Sequence, residues 1–204
     1  MVHGDDNGLV LPPYVAPIQI IVIPVAANKP GVIPAAREVA QKLADAGFRC
    51  RVDDSDKSAG WKFSEYEMKG VPLRVEIGPR DIEKGQVVFA KRNDGVKVFC
   101  SMDEMVDKAK ELLKVIHQEM YEKAYKYLLE HTTEAKDMDE LNKVLEKGGY
   151  AKMMWCGDRA CEDKIKELTN ATARCLPFNQ MGHADKCPVC GKKAEKVVLF
   201  AKAY

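Results

Sequence analysis

The 204-residue sequence has no apolar run long enough to cross a membrane. The longest one, residues 18–27, is about half of the roughly 20 residues that a transmembrane helix needs. The N-terminus also lacks the basic stretch followed by an apolar stretch that marks a secretory leader. We therefore expect a cytoplasmic protein that does not bind a membrane.

A strong net charge is also missing. The sequence carries 32 Lys and Arg against 31 Asp and Glu, a net charge of +1 at pH 7. Residues 18–101 are slightly basic, with 14 Lys and Arg against 11 Asp and Glu, and residues 102–204 carry 18 of each sign. This balance excludes a general polyanion-binding surface, so any nucleic-acid site must be local and shaped.

Disulfide bonds are not expected either. Seven cysteines in a chain without a leader are typical of a reducing compartment, where metal binding is commoner than disulfide formation. Cys156 and Cys161 are separated by four residues, and Cys187 and Cys190 form a CxxC turn followed by Gly191. Four thiolates in a tetrahedral arrangement suit a structural Zn²⁺ and leave no open position for catalysis.

The alternative is that these four thiols bind no metal. Cys175 is the nearest competing ligand, and His183 could substitute for a cysteine. Cys50 and Cys100 fall in predicted strands, and we expect them to be small core residues.

The first part of the chain has the pattern of an α/β domain. Residues 18–25 form a nearly continuous apolar run that predicts a strand buried on both faces. A helix from Pro34 to Gly47 and a strand at 49–53 complete a β-α-β unit, which predicts parallel pairing. The remaining predicted elements are a helix at 62–69, strands at 71–77, 86–92 and 96–100, a tight Asn93-Asp94-Gly95 hairpin, and a long helix opened by a capping box of Ser101 and Glu104. The fold class is therefore α/β, a mixed five-stranded sheet with surrounding helices over residues 18–115.

A smaller α+β domain is predicted for residues 116–204. The long helix continues towards residue 129, and residues 131–137 are interpreted as a polar break. Helices at 138–147 and 158–168 and strands at 150–155, 171–178 and 196–201 follow.

The clearest candidate binding segment is residues 60–81. Trp61 and Phe63 lie beside Lys62, Glu65, Glu67 and Lys69, and a second polar cluster of Arg80, Asp81 and Glu83 follows a strand-like run. Aromatic planes beside charges of both signs suit unpaired RNA bases. The alternative is a solvated helix whose aromatic residues belong to the core.

Residues 60–81 resemble the anticodon-binding segment of archaeal/eukaryotic-type prolyl-tRNA synthetase, a class II enzyme. Three further places agree: residues 3–17 resemble the sequence after the third class II motif, the four paired cysteines resemble the zinc site of that family, and residues 201–204 resemble its C-terminus. The resemblance runs through essentially the whole chain but leaves no room for the large catalytic domain.

The resemblance implies three regions. Residues 1–17 would be the remnant of a catalytic domain, 18–115 an anticodon-binding domain of the class IIa type, and 116–204 a C-terminal zinc-binding domain. The parent enzyme, expected to be a homodimer, would ligate proline to tRNA(Pro) using ATP and Mg²⁺ in the missing catalytic domain. The present fragment is predicted not to be catalytic on its own, with tRNA(Pro) and the parent's catalytic domain as its partners.

The resemblance also implies a set of RNA-contacting residues: Trp61, Lys62, Phe63, Glu65, Lys69, Pro72 and Arg80. Proline anticodons carry guanine at their second and third positions, and a carboxylate can accept both donors of a guanine's Watson–Crick edge. Glu65 and Lys69 lie four residues apart and share one helix face. The same spacing also supports a simple surface ion pair.

Two other functions remain open from the sequence. The chain could be a free-standing tRNA-binding or regulatory protein built from the same domains. It could also be a zinc-stabilised protein-interaction module.

Overall fold

The computed structural model describes residues 3–203, so Met1 and Val2 of the predicted catalytic remnant and Tyr204 of the predicted C-terminus lie outside the described residues. The chain divides into two compact units, with the division after Glu122. The predicted boundary at 115–116 lies within the long helix, where Ile116 is buried in the core of the first unit and Met120 packs against that core.

The first unit begins with two short antiparallel strands, β1 (Gly4–Asp5) and β2 (Gly8–Leu9). Its main sheet contains β3 (Ile20–Pro24), β4 (Cys50–Val52), β5 (Leu73–Ile77), β6 (Gln86–Lys91) and β7 (Lys97–Ser101), in the order β4-β3-β5-β6-β7. β3 is parallel to β4 and β5, and β6 is antiparallel to both of its neighbours. The predicted mixed five-stranded sheet is thus confirmed.

Four helices accompany this sheet: α1 (Val32–Asp45), α2 (Ala59–Met68), α3 (Pro79–Glu83) and α4 (Met105–Glu130). α1 starts before Pro34, which is tolerated in the first helical turn. β5 starts two residues later than predicted, because the N–H of Val71 donates to the carbonyl of Tyr66 (3.0 Å) and closes the end of α2. Ser101 and Glu104 are bonded as the capping box predicts, with Glu104 N–H donating to Ser101 Oγ (3.3 Å).

The two faces of the sheet are covered differently, because alternate residues of a strand point to opposite sides. On one face, Ile20 and Val22 pack in a core with Leu43 of α1 and Leu113 of α4. On the other face, Ile21 and Ile23 are buried with Val71, and the side chains of Ile18, Phe63 and Tyr66 pack against them. The second face is therefore where α2 lies.

The second unit is a four-stranded sheet with two helices. Its elements are β8 (Thr132–Ala135), α5 (Met138–Lys147), β9 (Tyr150–Trp155), α6 (Arg159–Thr169), β10 (Ala171–Cys175) and β11 (Lys196–Lys202), with strand order β10-β11-β9-β8. The prediction of a polar break at 131–137 was wrong, because β8 pairs in parallel with β9. Its four residues contain a single buried apolar side chain, Ala135, too little for a sequence pattern.

Among residues 3–203, no helix combines the length and the apolar character that crossing a membrane requires.

Candidate nucleic-acid interface and metal centre

Helix α2 is fixed at its start by a side-chain cap. The hydroxyl of Ser58 accepts the backbone N–H of Trp61 (3.3 Å), which satisfies one of the donors left free at a helix start. The Trp61 side chain is 48% exposed, and Lys57 Nζ lies 5.7 Å from its ring centroid. Phe63 is partly buried against the second face of the sheet. The two predicted stacking residues thus differ: Trp61 faces solvent, whereas Phe63 also serves the core.

Lys62 is fully buried. Its ammonium group donates to the carbonyls of Asp53 and Ser55, both at 2.8 Å, and lies 3.5 Å from the Asp53 carboxylate. Burial would raise the pKa of Asp53, but hydrogen bonds from Ser55 and the Lys62 charge hold it below its ordinary value. Lys62 therefore holds the loop before α2, and the structure does not support its predicted contact with RNA.

Glu65 and Lys69 form the ion pair that their spacing allows, with 2.6 Å between Lys69 Nζ and Glu65 Oε1. The Lys69 side chain is about half exposed, and its ammonium also lies 5.4 Å from the centroid of the Tyr66 ring. A surface pair of this kind stabilises a helix by only about 0.5 kcal/mol. An RNA base could therefore replace the lysine at the carboxylate at little cost.

Pro72 and Arg80 differ in their exposure. Pro72 is buried, and its carbonyl accepts the backbone N–H of Arg92 (2.9 Å). Arg80 is exposed on α3, whose start is held by the Asp81 carboxylate accepting the N–H of Gly78 (3.0 Å). Within residues 3–203, the Arg80 guanidinium has no ion-pair partner. Arg80 is therefore accessible to a ligand, whereas Pro72 is not.

A charged and aromatic surface beside α2 was not predicted from the sequence. The strand register aligns Arg74 of β5 with Ala90 and Lys97, and Glu76 of β5 with Val88 and Phe99. All of these side chains lie on the second face, because they alternate with core residues along their strands. We call Phe63, Arg74, Glu76, Lys97 and Phe99 the β5–β7 patch.

Glu76 holds the cations of the β5–β7 patch in place. One of its carboxylate oxygens accepts from Arg74 Nε (3.0 Å), and the other accepts from Lys97 Nζ (2.8 Å). The Arg74 guanidinium lies 4.1 Å from the centroid of the Phe63 ring, and Phe99 is 67% exposed. Aromatic planes beside arginine and lysine are common features of sites that bind single-stranded RNA. The alternation Leu-Arg-Val-Glu-Ile at 73–77 was the signal that could have revealed this surface.

The four cysteines of the predicted zinc site lie close together in the second unit. Cys156 follows β9, and Cys161 lies in the first turn of α6. Their Sγ atoms and those of Cys187 and Cys190 all lie within 4.8 Å of one another. The Cys156 sulfur is 3.7 Å from those of Cys161 and Cys190. Zn–S bonds of about 2.3 Å in a tetrahedron place sulfurs about 3.8 Å apart, whereas a disulfide needs about 2 Å. The arrangement is therefore that of a metal-binding cluster.

The CxxC turn supports this cluster through its backbone. Gly191 has a φ of 73°, and its N–H donates to the carbonyl of Cys187 (2.9 Å). Burial would raise the pKa of the Cys187 thiol, but the N–H groups of Cys190 and Val189 donate to its sulfur and lower the pKa to about 7. Burial raises the pKa of Cys161. Because the thiolate is the form of cysteine that binds a metal, these N–H donors favour metal binding at Cys187.

Neither of the competing ligands belongs to the cluster. Cys175 is exposed at the end of β10. The His183 ring lies against the carbonyl of Ala135, with 3.3 Å between Nε2 and the oxygen. Cys50 and Cys100 pack in or against the core of the first unit, as predicted.

Comparisons with known proteins give matches for both parts of the chain. Residues 19–112 match the family model described as the anticodon binding domain, and residues 138–204 match the one described as prolyl-tRNA synthetase, C-terminal. The chain is 53% identical over 205 residues to the Proline--tRNA ligase of Clostridium botulinum (strain Loch Maree / Type A3). It is 51% identical to that of Clostridium novyi (strain NT) and 52% identical to that of Lachnospira eligens.

In each of these alignments, the whole chain is covered but only 43% of the relative. The fold and the first match define a domain of the anticodon-binding class. The second match and the named relatives are more particular: residues 138–204 are similar to the C-terminal part of prolyl-tRNA synthetase, and the whole chain is similar to part of the named proline–tRNA ligases. The named relatives are bacterial, so the comparisons do not support the archaeal/eukaryotic-type assignment.

Proposed function

We propose that this chain is the tRNA-recognition part of a proline–tRNA ligase. The observation that carries the proposal is that the anticodon-domain match at 19–112 contains both α2 and the β5–β7 patch. The parent enzyme would ligate proline to tRNA(Pro) with ATP and Mg²⁺ bound in a catalytic domain that this chain does not contain. The parent would act as a cytoplasmic homodimer, and a reducing compartment agrees with seven free cysteines.

RNA recognition is proposed to combine α2 with the β5–β7 patch. Trp61 and Phe63 supply stacking planes, and Glu65 accepts the paired donors of a guanine. Lys69, Arg74, Lys97 and Arg80 meet phosphates or the acceptor oxygen of a base. Lys62 and Pro72 contribute indirectly, because both are buried and support the loop before α2 and the start of β5.

The metal is proposed to be a structural zinc ion held by Cys156, Cys161, Cys187 and Cys190. When bound, it would link the end of β9, the start of α6 and the CxxC turn in one place. A shell filled by four cysteines has no position for a substrate, so this site would contribute folding free energy rather than catalysis.

We also propose that the parent enzyme is of the archaeal/eukaryotic type, as the resemblance of the sequence implies. This proposal rests on a four-cysteine C-terminal domain following the anticodon-binding domain along the chain.

Replacing Glu65 with alanine is expected to weaken binding of a proline anticodon stem-loop by roughly 5- to 150-fold, since a lost base contact costs about 1–3 kcal/mol. The difference in affinity between this stem-loop and one without the two guanines should become smaller, because the carboxylate accepts hydrogen bonds from both donors of a guanine. Filter binding at one stated salt concentration, with both RNAs, measures the two effects.

Two variants serve as controls for Glu65→Ala. Lys69→Ala breaks the same ion pair but leaves the carboxylate, so it should lower affinity without narrowing discrimination. Glu38→Ala breaks a comparable pair on α1, in which Lys42 Nζ lies 2.8 Å from Glu38 Oε1. If Glu65→Ala binds both RNAs as tightly as the unsubstituted chain does, Glu65 forms a surface ion pair only and does not contact RNA.

A further inference from the structure

The N-terminal segment is built onto the end of α2. A Cβ added at Gly8 would lie 2.5 Å from Met68 Cα, and one added at Gly70 would lie 2.6 Å from Leu9 Cβ. Both glycines have positive φ, and Leu11 N–H donates to the carbonyl of Gly70 (3.3 Å). This close backbone approach, which only glycine permits, places β1 and β2 against the last turn of the helix.

Arg92, just after β6, joins these two parts. Its side chain is 6% exposed, and its Nε donates to the carbonyl of Glu67 (2.9 Å). Its two terminal nitrogens donate to the two carboxylate oxygens of Asp5, at 2.8 and 2.6 Å. One planar guanidinium thus holds a helix end with one edge and a carboxylate with the other, a geometry that lysine cannot reproduce.

The hydrogen bond from Arg92 to Glu67 lies in the last turn of α2, where backbone carbonyls lack partners within the helix. The last four carbonyls of a helix have no intrahelical donor, and a cation near this end is favourable for the helix dipole. The Glu67 carbonyl accepts both Gly70 N–H (3.0 Å) and Arg92 Nε. The hydrogen bond from Arg92 lowers the pKa of Asp5 from its ordinary value of 3.8 to about 2, so the pair stays intact at acidic pH where an ordinary aspartate is protonated.

We propose that Arg92 is a positioning residue for RNA binding. Held by its bond to Asp5 of the N-terminal segment, Arg92 fixes the position of the end of α2, which carries Glu65 and Lys69. The inference rests on the proposed function. Through this bond, the affinity for RNA depends on residues that precede the anticodon-domain match. A change in the position of residues 3–9 then changes the position of the end of α2.

The variant Asp5→Asn tests this inference, because two explanations give effects of opposite sign. Removing a negative charge should leave RNA affinity unchanged or slightly increase it if only electrostatics matter. Loss of positioning should instead weaken binding of the proline anticodon stem-loop by about 3- to 10-fold. Exchange of the amide hydrogens of Lys69, Gly70 and Val71, which close the end of α2, should become faster.

Glu38→Gln is the charge-matched control, since it removes a surface carboxylate on α1, and it should show neither effect. Asp5→Glu should restore the affinity, because a glutamate can still accept from both terminal nitrogens of Arg92. Amide exchange in α1 checks that every variant is folded. The inference is overturned if Asp5→Asn binds RNA as tightly as Glu38→Gln does.

Failure of the proposed function gives a different result. If the unsubstituted 204-residue chain binds neither stem-loop, the RNA roles proposed for α2 and for Arg92 are both refuted. Amide exchange then decides the remaining claim: faster exchange confined to residues 69–71 supports the link between Asp5 and α2, and unchanged exchange refutes it.

Discussion

The Cys187→Ser variant is expected to lose the bound zinc and the folded structure of the second unit, while the first unit keeps its fold. Cys187 is 1% exposed and packs with Met154, Cys161 and Val197, so its loss affects both the metal and the surrounding core. Structural zinc in small peptides is bound with about 10–16 kcal/mol, more than a domain of this size can lose. Elemental analysis and amide hydrogen exchange along the chain measure the two effects.

Cys175→Ser is the matched control for this prediction. Cys175 is an exposed cysteine of the same unit that lies outside the cluster, so the variant should retain one zinc per chain and a normal exchange profile. A parent chain purified without chelators that contains no zinc would contradict the assignment of the metal. A Cys187→Ser variant that unfolds although the parent holds no metal would instead show a packing role alone.

Arg74→Ala is expected to reduce RNA affinity by roughly 5- to 150-fold, because a stacking or cation–π contact to a base is worth about 1–3 kcal/mol. The change removes the plane that lies 4.1 Å from the Phe63 ring and leaves Glu76 paired with Lys97 alone. Both consequences lower the attraction of the β5–β7 patch for RNA. Calorimetry with the proline anticodon stem-loop, repeated at two salt concentrations, measures the loss.

Two variants separate stacking from charge in this experiment. Arg37→Ala removes a positive charge from the same unit, where Arg37 pairs with the exposed Asp54 at 2.6 Å, and should change affinity little. Arg74→Lys keeps the charge but loses the plane, so it should bind almost as weakly as Arg74→Ala. Equal losses for Arg37→Ala and Arg74→Ala would show a diffuse electrostatic effect and remove the patch from the site.

Much of the fold could be predicted because its signals are local. The apolar run that forms β3 has five buried residues, and a run of this kind is typical of a strand covered on both faces. The Asn93–Gly95 turn fixes the β6–β7 hairpin, and the spacing of the four cysteines indicates their cluster. The strand and the turn are each encoded by a few neighbouring residues, and the cluster by two short cysteine motifs, at 156–161 and 187–190.

The features that were missed depend on contacts between distant residues. Lys62 has the sequence character of an exposed residue, and only the carbonyls of Asp53 and Ser55 make its burial possible. The β5–β7 patch requires the register of three strands, and the bond between Arg92 and Asp5 joins residues 87 positions apart. The strands β1 and β2 were not predicted, because two residues each are too few to form a sequence pattern.

The most direct test of the account is the binding of the 204-residue parent chain to two anticodon stem-loops at one low salt concentration. One RNA carries a proline anticodon, and the other has both of its guanines replaced. The proline stem-loop is expected to bind at least roughly tenfold more tightly, since each wrong base costs about 1–3 kcal/mol. Equal affinity for the two RNAs, or no binding of either, would contradict this expectation.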